Sequence, residues 1–169
     1  NEEIKNKKAG KEAYIKVKIN HITDELMVKK LYEAAEAGVQ VDLLVRGNCS
    51  LKPNLKSLNG NMKVVGIIDR YLEHARIFIF AAGGLNKTFL GSADWMPRNL
   101  DHRVEVITPV YDEDIKANLR KVVEYGLKDT LQGRIVDGLG TNLENTGDEA
   151  FRSQETLYRE YLEENQNEK

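Results

Sequence analysis

Residues 13–45 read as a strand, a helix and a second strand joined by very short connections, and few folds accommodate that order. In residues 13–19 (AYIKVKI), Tyr14, Lys16 and Lys18 alternate with Ile15, Val17 and Ile19, the period of two expected of a strand with one buried face. Thr23 is placed to cap a helix that carries Asp24 and Glu25 in its first turn, sets Met27, Leu31, Ala34 and Ala35 on one face and ends at Gly38. The second strand, VQVDLLV, follows at once. Such a unit closes as a right-handed crossover with parallel strands, so the expected class is α/β, a mixed and mostly parallel sheet flanked by helices.

The remainder extends that sheet. After Arg46 a Gly-, Asn- and Ser-containing stretch leads to MKVVGII, then RIFIF, the turn AAGGLNK and TFLGS, which read as a strand followed by a hairpin. VEVITPV is expected as a further strand, for five or six in all. Ile115, Leu119, Val122, Val123 and Leu127 then mark an amphipathic helix. Residues 133–147 read as irregular, and residues 149–164 as a C-terminal helix. Gly83 and Gly84 belong to the hairpin turn, since no helix follows them to cradle a phosphate.

Charge is distributed unevenly. The net charge is only −2, but residues 70–103 hold five basic residues against three acidic ones, before His74 and His102 are counted. Residues 137–169 hold nine acidic residues against three basic ones. The single cysteine, Cys49, excludes an internal disulfide, and no apolar run is long enough for a membrane span. With no secretory signal in view, the expected location is cytoplasmic, with peripheral membrane association as the other placement. A chain that starts at Asn1 is expected to be part of a longer one.

The chemistry-bearing residues fall at one end of the expected sheet. In a hairpin the start of one strand faces the end of its neighbour, so His74 and Arg76 meet Ser92 and Asp94. Ligands of open α/β sheets bind at such strand ends. Arg46, just beyond LLV, is expected there too, as a phosphate ligand, because a guanidinium fork grips two phosphate oxygens at once. Arg76 is a phosphate-binding candidate as well, or a partner for Glu73, Asp94 or Asp101. Ser92 and Asp94 either support the site or shape a turn. Arg98 and Arg103 either line a polyanion track or pair with Asp101 or Glu105. His21 and His102 have no metal-ligand spacing around them.

The same residues resemble the phospholipase D superfamily motif, His-x-Lys, four residues, Asp, and later Gly-Ser-x-Asn. His74, Gly91 and Ser92 match it, whereas Arg76 stands for Lys, Ala81 for Asp and Asp94 for Asn. These departures are those of the polyphosphate kinase family, which the chain resembles over nearly its whole length through GVQVDLLVRGNCSLKP, IIDRYLEHARIFIF and FLGSADWMPRNLDHRVEVITPV.

The resemblance implies that residues 1–169 form a C-terminal phospholipase-D-like domain, a fragment of a longer chain. It implies reversible transfer of the ATP γ-phosphate to polyphosphate, through a phosphohistidine carried by the preceding domain. His74 becomes the partner histidine, acting as acid or base and holding phosphate, and Arg46 the nucleotide-phosphate ligand. Mg²⁺ is expected with ATP, its ligands mostly outside this chain, and no metal site within it. The implied partners are ATP or ADP, inorganic polyphosphate, the preceding domains and further copies of the full-length protein; nucleic acid is not among them. By itself the chain is expected to be inactive. The competing readings are a phosphodiesterase or nuclease that completes its site by dimerising, and a polyanion-binding module without catalysis.

Overall fold

A computed structural model describes residues 1–167 and places seven strands in one sheet. The last two residues of the expected 1–169 domain lie outside the described residues. The crossover unit is β1 (Tyr14–Ile19), α2 (Glu25–Glu36) and β2 (Gln40–Val45), with α1 (Glu2–Lys8) ahead of it. Then come β3 (Met62–Ile67), β4 (Arg76–Phe80), β5 (Lys87–Gly91), α3 (Pro97–Asp101), β6 (Ile107–Val110), α4 (Glu113–Lys128), β7 (Gly133–Ile135) and α5 (Ser153–Asn167). The strand order is β6-β5-β4-β1-β2-β3-β7.

The α/β class holds, with helices on both faces, but the sheet is not mostly parallel. Only β1 with β2 and β2 with β3 run parallel, while β1 with β4, β4 with β5, β5 with β6 and β3 with β7 are antiparallel. The long crossovers after β1 and β2 give the two parallel pairs and the short β4–β5 connection gives a hairpin, while β1–β4 and β3–β7 pair strands distant in sequence. β7 pairs within residues 133–147, expected to be irregular, because three residues suffice to cap the exposed edge of β3. The strand expected at residues 104–110 is shorter, as Val104 to Val106 lie outside it.

Local chemistry sets the helix ends. Asp24, not Thr23, caps α2 by accepting from the Met27 N–H at 2.9 Å. Gly38 then leaves the helix at φ +87°, a left-handed turn that strains any side chain. Asp112 caps α4 in the same way through the Ile115 N–H. The C-terminal helix starts at Ser153, later than residue 149, because residues 148–152 fold back and the Phe151 carbonyl accepts from the Thr130 and Leu131 N–H groups.

The sheet separates two apolar layers. On one face Ile15, Val17, Ile19, Val41, Leu43, Val45 and Phe78 pack with Leu31, Ala34 and Ala35 of α2. On the other, Leu44, Val65, Ile67, Ile77 and Ile79 pack against Val123 and Leu127 of α4. Burial of each of the Val, Leu, Ile and Phe side chains contributes roughly 1.5–3 kcal/mol. Because both faces are covered, the outward half of β1 is not solvated: Lys16 reaches Glu124 on α4, and Lys18 is buried.

Candidate active site

The strand directions bring one set of ends to a single rim. β1 and β2 finish there at Ile19 and Val45, β4 begins there at Arg76, and Gly91 at the end of β5 pairs with Arg76. β3 also finishes there, opposite the start of β7. Arg46, His74, Arg76 and Asp94 therefore share one end of the sheet, as their sequence positions imply.

Asp94 is the hub of this end. It is 3% exposed and accepts from the Asn20 N–H at 3.0 Å and from Arg76 Nε and Nη2 at 3.2 and 2.9 Å. Burial resists its ionisation, yet the Arg76 guanidinium and the Asn20 N–H more than offset that, so its carboxyl is held below the usual range. Arg76 Nη1 donates to the His74 carbonyl at 2.9 Å. Three of its five N–H groups are thus committed, and Arg76 positions the backbone of His74 as much as it presents charge.

The imidazole of His74 is exposed at the rim. The Arg76 guanidinium above all, then partial loss of hydration, then Arg46 hold its pKa below the ordinary value; Asp94 acts the other way, and Lys18 adds a smaller lowering. The lowered pKa favours the neutral ring at neutral pH, and an anion bound beside it would offset the surrounding cations and raise its proton affinity. Arg46 differs from Arg76: its backbone N–H bonds to the Ile19 carbonyl, while its guanidinium makes no hydrogen bond or ion pair among the described residues. It lines a concavity with residues 67–73 and is the best-placed cation for an external anion.

Gly47 allows Arg46 to sit where it does. A Cβ at that position would lie 2.4 Å from Cε1 of His21, and the His21 Nδ1 accepts the Asn48 N–H at 2.9 Å. His21 is a buttress for the loop after β2.

The loop that carries His74 has no regular structure, and side chains far away in sequence hold it. Gln154 of α5 accepts the Tyr71 N–H at 2.7 Å and donates to the Tyr71 carbonyl at 2.9 Å and to Glu73 at 2.7 Å. Arg152 grips Asp69 with two N–H groups, at 2.6 and 3.0 Å. Glu73 reaches Lys18 at 2.8 Å, and the Lys18 side chain is only 4% exposed. Sequence reasoning gives Asp69, Arg152 and Gln154 no role, names Glu73 only as a possible partner of Arg76, and places Lys18 only in the alternation of β1. The alternation of β1 puts Lys18 on an outer face, and only the covering by α4 and this loop turns that face inward.

The remaining candidates are placed as follows. Ser92 bonds to Glu105 and accepts the Val106 N–H at 3.0 Å, so its hydroxyl shapes the turn after β5. Arg103 lies 3.5 Å from Glu105, and Arg98 on α3 is exposed. Among the described residues no three His, Cys, Asp or Glu side chains gather to hold a metal ion. Glu73, next to His74 in the chain, and Asp94 are already engaged by Lys18 and Arg76 and do not fit a Mg²⁺ site. Among the described residues no helix is long and apolar enough to cross a membrane.

This geometry has relatives. A polyphosphate kinase from Escherichia coli K12 is 44% identical over 80% of this chain, which spans 20% of that protein. One from Vibrio cholerae is 40% identical over 95% of the chain, or 23% of its own length. The crystal structure of polyphosphate kinase from Porphyromonas gingivalis superimposes with a TM-score of 0.92 at 36% identity, covering 99% of this chain and 26% of that one. A phospholipase D family member from Salmonella typhimurium shares the fold alone, with a TM-score of 0.55 at 12% identity, over 79% of this chain and 87% of its own. The chain spans about a fifth of the length of the curated relatives it matches. Residues 1–154 match the family described as polyphosphate kinase C-terminal domain 2, and the chain belongs to that family.

Proposed function

We propose that this chain supplies one side of a polyphosphate kinase active site. In the first step the γ-phosphoryl of ATP passes to a histidine nitrogen of the preceding domain; a P–O bond breaks, a P–N bond forms and ADP leaves. In the second, the terminal oxygen of polyphosphate attacks the phosphohistidine; the P–N bond breaks and the chain lengthens by one phosphate. Both steps reverse. Such transfers are accelerated mainly by fixed cations at the equatorial oxygens and by alignment of entering and leaving groups.

Arg46, with its donors uncommitted beside a neutral His74, carries this reading. Arg46 grips the phosphates of the nucleotide. His74 holds the transferring group by a hydrogen bond and exchanges a proton with it, a role that favours a pKa near the working pH. Arg76, steadied by Asp94, adds positive charge and keeps the His74 backbone in place. Mg²⁺ arrives with the nucleotide, and the protein is cytoplasmic and works as a homo-oligomer.

The test uses the full-length protein. His74→Ala is expected to lower polyphosphate synthesis from ATP at least a hundredfold, within the range for a lost acid or base. Arg46→Ala is expected to weaken nucleotide binding. Synthesis at the wild-type rate by His74→Ala would leave only a polyanion-binding module. Hydrolysis of a generic phosphodiester by the 169-residue chain, abolished in His74→Ala, would make it a phosphodiesterase.

A further inference from the structure

Arg46 also lines a second concavity, toward β7, which lies on the opposite side of β2 from β4 in the strand order. This cavity of about 300 Å³ lies at the junction of β2, β3 and β7, bounded by Arg46, Gly47, Gly66, Gln132, Arg134 and Asn142 together with three aliphatic side chains. None of its lining residues is acidic, and two are arginines. Arg134 projects from β7, where Nη1 donates to the Gly133 carbonyl at 3.0 Å; its nearest carboxylate, Glu144, is 3.8 Å away and 75% exposed. That distant and solvated partner screens it weakly. Glycines form part of the wall: a Cβ at Gly66 would crowd the Val45 carbonyl at 3.1 Å. Gln132 and Asn142 add neutral amide groups.

We infer that this cavity is a second phosphate subsite, in which Arg134 holds phosphates of a long oligophosphate lying beyond the group bound between Arg46 and His74. The inference rests on the proposed function for the identity of the anion. Arg46 lies in both walls, and the first concavity runs along residues 67–73 up to the residue before His74, so one chain of phosphates can pass over Arg46 from that loop to the β7 side. A nucleotide is too short to need the far end. The site therefore discriminates by chain length.

The test measures, on the full-length protein, the KM for ADP, for tripolyphosphate and for polyphosphate of several hundred phosphates, together with equilibrium binding of each phosphate polymer. Arg134→Gln removes a charge-assisted phosphate contact and is expected to weaken long-chain binding roughly tenfold, with the KM for ADP changed less than twofold. Because Arg134 also supports β7, Asn142→Asp provides a second variant. It places a carboxylate in the cavity from an exposed position and is expected to weaken long-chain binding severalfold while tripolyphosphate binding changes less than twofold. Long-chain binding at the wild-type level in both variants would overturn the subsite, as would equal losses for ADP and long polymer. A wild-type protein that transfers no phosphate would overturn the proposed function instead, and the binding measurements would still decide the subsite.

Discussion

The Nζ of Lys18 lies 2.8 Å from Oε2 of Glu73, an ion pair between the central strand β1 and the residue just before His74. Lys18 is otherwise shut off from water, and Glu73 is held on its other oxygen by Gln154. The pair joins the interior of the sheet to the loop that carries the histidine, so that the imidazole feels the Lys18 charge.

Lys18→Met should raise the pKa of His74 toward its ordinary value, because one of the cations that depress it is gone. Histidine ring signals followed by NMR through a pH titration check this. Below the new pKa His74 becomes protonated where the wild type is neutral, so the acid limb of the pH–rate profile moves to higher pH. Stability should fall by about 2 kcal/mol, as expected when a largely buried pair loses one member. An unchanged His74 titration would refute the coupling.

Gln154→Ala removes three hydrogen bonds that hold the Tyr71–Glu73 loop segment from α5. Exchange of the Tyr71 amide hydrogen should accelerate markedly, while amides in the centre of β1 keep their protection. Activity of the full-length protein should drop about tenfold, since small displacements of a catalytic group are costly.

Gly47→Ala puts a methyl group where the His21 ring stands. Nucleotide binding through Arg46 should weaken. The double variant with His21→Ala should recover part of the loss, less the value of the Asn48 hydrogen bond, about 1 kcal/mol. A simple sum of the two single effects would show that the clash is not the cause.

Asp94→Asn should destabilise the protein by about 3 kcal/mol, because Arg76 keeps its charge in a nearly buried position with its partner neutralised. His74→Ala, at an exposed position, should change stability by less than about 0.5 kcal/mol. Thermal or urea unfolding separates the two. The pH dependence follows the same logic. Asp94 has a lowered pKa when folded, so its stabilisation is full above the unfolded value of about 4 and is lost as the pH falls through the folded value. The wild type should lose more stability than Asp94→Asn on acidification below about pH 4.

The local elements and the gathering of the candidate residues at one end of the sheet were legible in the sequence because they depend on near neighbours. The alternation in residues 14–19 and the helical spacing of Leu31, Ala34 and Ala35 specify a crossover unit, and the hairpin of β4 and β5 brings Arg76 to Gly91 by adjacency alone. The division of labour between the two arginines was not. Arg46 and Arg76 look alike as sequence, and only the fold gives Arg76 to Asp94 and leaves Arg46 uncommitted. Likewise β7, the antiparallel majority of the sheet and the hold of Gln154, Arg152 and Lys18 on the histidine loop join residues up to 83 positions apart. Such contacts depend on which face of a strand is covered and by what. That is settled when the layers pack, because a lysine on the outer face of a strand is solvated or buried according to elements that lie far away in the chain.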